Sequence, residues 1–293
     1  MTSGADSAVK VTGESKVVGV FGWPVAHSLS PPMHNAAFKA LKMNWVYVPF
    51  PVSPENLEIA LSSLGTMGIQ GVNLTIPHKE QAFKLVDLLT EEAKLVGSVN
   101  TVHTTEQGLL GDSTDGRGFM APLIEEGVSL KGESVVVLGA GGAARSIVFT
   151  LAQAGAKVML YNRTSERAEN LIGAVSDAGL KPVELLKSID DVNEAVRSAK
   201  LLVHTTQVGM HPDVQSIPTL NLGSLHPDLY VYDLIYNPQE TRLLSEGKRR
   251  GCKTLNGVKM LVNQGALSFQ RWTGIAPPLA TMELAVLAGL AKP

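Results

Sequence analysis

The chain has 293 residues, 44% of them hydrophobic, which is enough apolar material for one large buried core or two ordinary ones. Its 25 Lys and Arg against 27 Asp and Glu leave a formal net charge of −2, which points to no nucleic acid and no membrane as partner. One cysteine, Cys252, excludes an internal disulfide, fits a cytoplasmic setting and reads as a plain structural residue.

Residues 1–15, MTSGADSAVKVTGES, are small and polar, lack the charged-then-apolar order of a signal peptide, and read as a flexible tail. No apolar run approaches the roughly 18–20 residues that span a bilayer. The seven histidines show no HExxH or similar spacing, so no metal site is expected. Residues 17–21 then read as a buried strand and residues 31–43 as an amphipathic helix, with Ala36, Ala37, Ala40 and Leu41 on one side. A strand at 46–50, a helix at 56–64, a strand at 71–76 and a helix at 79–89 follow. Residues 99–103 and 108–111 look like two short strands around a turn. This alternation predicts an α/β domain with a largely parallel sheet.

A boundary falls near residues 115–120, so that residues 16–116 form a first domain and residues 117–259 a second. The second opens with a strand at 134–138, a helix through Ala154 and a strand at 157–161. Helices at about 165–178 and 190–198 alternate with strands at 183–186, 201–205 and 229–234. The apolar segment 261–290 reads as helical and is expected to pack back, residues 260–293 completing the first domain.

In VVVLGAGGAARS a strand runs into Gly139-Ala140-Gly141-Gly142-Ala143-Ala144 and then a helix. Gly139 permits a tight turn, Gly141 lets a pyrophosphate reach the backbone, and Ala144 lets helix and strand pack closely. The helix start adds N–H donors and partial positive charge for phosphates. Sites for NAD usually place Asp or Glu at the end of the next strand, for the ribose 2′-hydroxyl. This chain has Asn162-Arg163-Thr164 there and Arg167 a turn later, a set that suits a 2′-phosphate. The cofactor indicated is therefore NADP(H), with solvated surface charge the plainer reading of Arg167.

A nicotinamide cofactor implies hydride transfer and hence a substrate. In HSLSPP, residues 27–32, Ser28 and Ser30 stand at a helix start, where two hydroxyls suit a carboxylate. Ser30 reads equally well as a helix cap before Pro31.

Eight stretches decide between these readings: GWPVAHSLSPPMHNAAF, GVNLTIPHK, GSVNTV, GDSTDGRGF, VLGAGGAAR, YNRTSERA, YDLIYNPQET and NGVKMLVNQGALSFQRWTG. They lie in order from about residue 17 to the end of the chain, and through them it closely resembles the shikimate dehydrogenase family. The resemblance implies two α/β domains, an N-terminal substrate domain and a Rossmann-type NADP domain, with a cleft between them that closes on ligands. It implies reversible NADPH-dependent reduction of 3-dehydroshikimate to shikimate, a step of aromatic amino acid biosynthesis. The family's acid–base lysine falls on Lys79, and the aspartate beside the reacting hydroxyl falls on Asp115. Ketone reduction needs a proton at oxygen as hydride reaches carbon, and a lysine can give that proton and stabilise the developing charge. Ser28 and Ser30 match the carboxylate-binding pair, and Thr75, Asn100, Tyr236 and Gln264 match residues that bond the ring hydroxyls or carboxylate. Leu234, Gly257 and Met260 match the nicotinamide pocket, and Glu91 matches a cofactor position that also reads as an exposed helix charge.

The chain departs from the family at His204-Thr205-Thr206-Gln207-Val208-Gly209-Met210, where many relatives carry Asn-Ala-Thr-Ser-x-Gly-Met. Ser113 stands where relatives often have Asn, and His78 adjoins Lys79. Two other readings stay open from sequence: a quinate/shikimate dehydrogenase using NAD, and a shikimate-binding sensor without turnover. Asn162-Arg163-Thr164 argues against the first, and the presence of both Lys79 and Asp115 against the second. Monomer and homodimer are equally compatible with the sequence.

Overall fold

Short apolar runs rich in Val, Ile and Leu become the strands of two six-stranded sheets, because β-branched side chains suit a pleated, buried surface. The chain is described by a computed structural model over residues 11–291. It divides into two units, one of them discontinuous: residues up to Thr114 together with those from Gly265 on, and residues 115–264.

The discontinuous unit holds β1 (Lys16–Gly22), α1 (Ser30–Ala40), β2 (Trp45–Pro51), α2 (Leu57–Ser62), β3 (Ile69–Leu74), α3 (Lys79–Ala82), β4 (Leu88–Leu89), α4 (Glu91–Val96), β5 (Thr101–Thr105) and β6 (Gly108–Asp112). Its sheet order is β2-β1-β3-β5-β6-β4. β2, β1 and β3 are parallel, whereas β5 runs antiparallel to both β3 and β6. Of the expected tail, residues 1–10 lie outside the described residues. Residues 11–15 form a turn fastened to Asn44, through Thr12 Oγ1 at 3.1 Å and Ser15 Oγ at 2.5 Å.

Two further expectations change in this unit. The helix at 79–89 is only the single turn α3, because residues 87–89 are drawn to β6. There Asp87 N donates to Leu109 O at 3.0 Å and Leu109 N donates to Asp87 Oδ2 at 2.7 Å. α4 is additional. Thr90 Oγ1 caps it by accepting from Ala93 N at 3.2 Å, and Gly97 closes it in a left-handed conformation.

The continuous unit contains α5 (Asp115–Glu125), β7 (Ser134–Leu138), α6 (Gly142–Gln153), β8 (Lys157–Tyr161), α7 (Ser165–Asp177), β9 (Glu184–Leu185), α8 (Ile189–Ser198), β10 (Leu201–His204), β11 (Tyr230–Asp233), α9 (Arg242–Arg249) and β12 (Lys253–Leu255). All six strands are parallel, in the order β12-β11-β10-β7-β8-β9. Counted from β7 this is 3-2-1-4-5-6, the doubly wound arrangement. α5, α9 and β12 are additional to the expected elements. The segment 261–290 is two helices, α10 (Gly257–Thr273) and α11 (Leu279–Leu290), separated by Gly274 at φ 70° and the pair Pro277-Pro278. α10 supplies residues to Gln264 to the continuous unit and the rest to the discontinuous one.

In the discontinuous unit the side of α10 from Gly265 onward packs with α1 and β2 in an aromatic core. The His34 ring stacks on Tyr47 at 4.4 Å and 5°, with Phe38, Phe269 and Trp272 around it. His34 is fully buried, and neither ring nitrogen has a hydrogen-bond partner among the described residues. Burial therefore pushes its pKa down to about 3. An unfolded histidine takes its proton near pH 6.5, so between that value and about 3 the unfolded chain holds a proton that the folded chain does not. Stability is thus lost as pH falls through this window, at about 1.4 kcal/mol per unit from this one group. His34→Leu is expected to remove about 2 kcal/mol of the stability lost between pH 6.5 and 5, read from urea-unfolding midpoints at the two pH values. The same acid shift in both proteins would assign the loss to other groups.

Candidate active site

Side chains along a buried parallel strand are committed to packing, so chemistry falls to the residues after the strand ends. In the discontinuous unit β2 and β3 flank β1 on opposite sides, making the carboxyl ends of β1 and β3 the switch point where such sheets bind ligands. Ser28 and Ser30 follow β1, while Thr75 and Lys79 follow β3. The ladder continues past both ends, with Thr75 N donating to Phe21 O at 3.0 Å and Trp23 N to Ile76 O at 3.1 Å. Lys79 is the first residue of α3 and half-buried, and its carbonyl accepts from Val99 N at 2.9 Å. His78 is turned away into protein, where Nε2 donates to Val52 O at 2.8 Å, and burial lowers its pKa.

Ser30 does not cap α1. The cap position is Leu29, with no side-chain cap bond, and Ser28 Oγ accepts from Ser30 N at 3.3 Å. Ser30 is instead buried beside the phenol of Tyr47, whose pKa is raised by burial. Tyr47 donates to Asn73 Oδ1 at 2.8 Å. Asn73 Nδ2 in turn reaches Ser268 Oγ at 2.8 Å and Thr101 Oγ1 at 3.1 Å. Thr101 Oγ1 donates to Asn100 Oδ1 at 3.2 Å, and that same oxygen accepts from Thr114 N at 2.8 Å. One candidate substrate residue, Asn100, thus belongs to a buried polar chain that runs from Tyr47 to Thr114. Its members Tyr47, Asn73, Thr101 and Ser268 are not among the residues expected from sequence. Glu91 is exposed in the first turn of α4 and pairs with Lys94 at 2.7 Å, an ordinary surface ion pair.

In the continuous unit the switch point lies between β7 and β10. Gly139 leaves β7 at φ 114°, a conformation that favours glycine, and its N–H donates to Tyr161 O at 2.8 Å. Gly141 is the N-cap of α6, with no side-chain cap bond, and a Cβ added there would meet no protein atom within 4 Å. The first turn of α6, from Gly142 and Ala143, therefore presents backbone donors beside open space, which fits a pyrophosphate. Asn162 braces this turn. Its Oδ1 accepts from Ala140 N at 3.1 Å and its Nδ2 donates to Thr164 O at 2.8 Å. Arg163, Thr164 and Arg167 are exposed, and neither arginine has an ion-pair partner among the described residues. No carboxylate neutralises this end of β8, so the residues present fit an NADP 2′-phosphate.

Leu234, Gly257 and Met260 come together within this unit. A Cβ at Gly257 would fall 1.9 Å from Leu234 O, so only glycine allows α10 to start there. Met260 follows one turn on and is buried. Asp115, buried, is the first residue of α5. Tyr236 is half-buried, with its pKa raised by burial, and Gln264 Nε2 donates to Leu261 O at 2.8 Å. Ser113 is buried, and its N–H donates to Asp112 Oδ1 at 2.8 Å. In the departing stretch Gln207 is exposed, whereas His204 is fully buried and bonded to Asp233 at 2.9 Å. Asp233 and Thr241 are further residues missed from sequence; nothing local marks a strand-end Asp as the partner of a histidine 29 residues earlier. Among the described residues no group of three or more His, Cys, Asp or Glu could hold a metal ion, and no helix is long and apolar enough to cross a membrane.

Three family models match the chain: "Shikimate dehydrogenase substrate binding domain" over residues 20–102, "Shikimate / quinate 5-dehydrogenase" over 123–215 and "Shikimate 5'-dehydrogenase C-terminal domain" over 257–287. Shikimate dehydrogenase (NADP(+)) of Methanopyrus kandleri is 46% identical over 286 residues, 97% of this chain and 99% of that protein. The enzyme of the same name from Methanosarcina barkeri is 48% identical, covering 94% and 99%. A crystal structure of a shikimate dehydrogenase in complex with NADP+ aligns with a TM-score of 0.89 at 38% identity, covering 97% of this chain and 98% of that one. Shikimate 5-dehydrogenase of Thermus thermophilus in complex with NADP(H) and shikimate aligns with a TM-score of 0.84 at 38% identity, covering 94% and 100%.

Proposed function

The chain belongs to the shikimate dehydrogenase family, and from that premise we propose that it catalyses the reversible, NADP-dependent reduction of 3-dehydroshikimate to shikimate. The observation that carries the cofactor half is the end of β8: two exposed arginines without an ion-pair partner among the described residues, beside a glycine turn whose helix start lacks a side-chain cap. Gly141, Gly142 and Ala143 offer backbone donors to the pyrophosphate, while Gly139 and Ala140, whose N–H groups are committed to Tyr161 O and Asn162 Oδ1, shape the turn. Arg163 and Arg167 hold the 2′-phosphate with Thr164, and Asn162 keeps the two loops in register. Leu234, Gly257 and Met260 line the nicotinamide end.

NADP(H), when bound, supplies or accepts the hydride. Lys79 Nζ gives a proton to the carbonyl oxygen in reduction, recovers it from the hydroxyl in the reverse direction, and stabilises the negative charge that grows on oxygen. Asp115, an acceptor when ionised, takes a hydrogen bond from the reacting hydroxyl. Ser28 and Ser30 bind the substrate carboxylate. Thr75, Asn100, Tyr236 and Gln264 bond the ring hydroxyls, where each donor left unmet in a buried site costs about 1–3 kcal/mol. This reading includes a cytoplasmic setting, supported by a single buried cysteine with no disulfide partner.

Steady-state assays crossing shikimate and quinate with NADP and NAD test the proposal. Turnover is expected with shikimate and NADP; tight shikimate binding without turnover would make the chain a sensor instead. Lys79→Ala is expected to lower kcat by about 100-fold or more while KM for shikimate changes little, and a raised KM with kcat intact would remove Lys79 from the proton transfer. Arg163→Ala is expected to raise KM for NADPH by about tenfold or more, the loss of a charge-assisted pair, and to leave KM for NADH nearly unchanged. Equal losses with both cofactors would mean that Arg163 does not read the 2′-phosphate.

A further inference from the structure

The buried histidine at the end of β10 belongs to a polar chain that the proposed chemistry does not use. His204 and Asp233 are both fully buried, at the carboxyl ends of the neighbouring parallel strands β10 and β11. Asp233 takes three donors: His204 Nδ1 at 2.9 Å and Ile235 N at 3.1 Å on Oδ1, and Thr241 Oγ1 at 2.6 Å on Oδ2. Nδ1–H is donated to the carboxylate, which leaves Nε2 to bond on the other side of the ring. Its partner is the hydroxyl of Thr206, which itself accepts from Val208 N at 3.3 Å. The Thr206 hydroxyl is thus bonded on two sides, to the buried His204 ring and to Val208 N, which holds it in one rotamer.

Thr206 is placed where that matters. Thr205 N and Thr205 Oγ1 both donate to Leu138 O, at 2.9 and 2.8 Å, which fastens the loop after β10 to the end of β7. A Cβ at Gly139 would fall 2.4 Å from Thr205 Oγ1 and 2.9 Å from Thr206 Cγ2. The loop and the glycine turn are therefore in direct contact at the switch point of the sheet. The series Asp233–His204–Thr206 joins the ends of β11, β10 and β7.

We propose that His204, anchored by Asp233, is a positioning residue of the dinucleotide site: it fixes the Thr206 hydroxyl and the loop of residues 205–209 against the glycine turn, and so sets the affinity for a nicotinamide dinucleotide. This inference rests on the functional reading above. An asparagine at this position reaches as far as Nδ1 but not Nε2. His204→Asn thus keeps a donor for Asp233 and removes the ring partner of the Thr206 hydroxyl. Thr206→Val removes the hydroxyl from the other side at a half-exposed position, leaving the buried carboxylate untouched.

The experiment is a fluorescence titration of NADPH into the wild-type chain, both single variants and the double variant, with KM for shikimate measured alongside. Each single substitution is expected to weaken NADPH binding by about three- to tenfold, the cost of reordering one freed side chain and its loop. The double variant is expected to be no weaker than the worse single one, because both break the same link. KM for shikimate is expected to stay within about twofold. Unchanged NADPH affinity in both single variants would overturn the proposal, as would losses that simply add. Wild-type protein that binds no NADPH would remove the functional reading and this inference together.

Discussion

Both sheets are built around one constraint: the chain adds parallel strands on one side of a starting strand, then crosses over and adds them on the other. β1 is the starting strand of one sheet and β7 of the other. All strands parallel to the starter end at the same edge, and at the crossover the loops leaving two neighbouring strands diverge. Strand interiors are largely apolar, as at Val135, Val136 and Val137 or Leu201, Leu202 and Val203, and where they carry a polar group, as at Asn73, it is tied up within the protein. The polar side chains of interest therefore lie within a few residues after a strand end. Ser28, Thr75, Lys79, Gly139, Arg163 and Thr205 all obey that rule.

Holding such loops still is the task of buried polar groups, which must be bonded or be costly. In the discontinuous unit this falls to the series from Tyr47 through Asn73, Thr101 and Asn100 to Thr114. A second anchor lies at Asp112, which accepts from Arg271 Nη2 at 2.6 Å and Thr90 Oγ1 at 2.9 Å. In the continuous unit the corresponding device is Asp233 with His204. In each case a group with no solvent to fall back on fixes the geometry of one that faces a ligand.

What could be read from sequence follows from how far apart the cooperating residues lie. The α/β alternation and the strand–glycine turn–helix unit are local, and so is the missing carboxylate at Asn162-Arg163-Thr164; each was legible in a dozen residues. α4 was equally local, with Thr90, two glutamates and Gly97 marking its ends, and it went unread. The strand pairing that cuts α3 short was not local, because Asp87 answers to Leu109. Ser30 shows the same division. Its neighbours Pro31 and Pro32 suggest a cap, and the cap position is Leu29, with Ser30 buried inside the first turn. Asn73 and Ser268 are 195 residues apart, beyond any spacing rule.

That separation bears on the order in which a growing chain can fold. The unit begun first needs the residues made last: Ser268 satisfies Asn73 and Thr101, Arg271 pairs with Asp112, and Phe269 and Trp272 close the stack around His34. The other unit is one uninterrupted stretch, complete once Gln264 has been made. Domains usually fold from the N-terminus forward during synthesis. Here the sequence of events is inverted: the nascent N-terminal sheet must wait with its polar core unmet until the C-terminal helices leave the ribosome. An arrest of translation between Gln264 and Ser268 would release a chain whose second unit is whole and whose first unit is not.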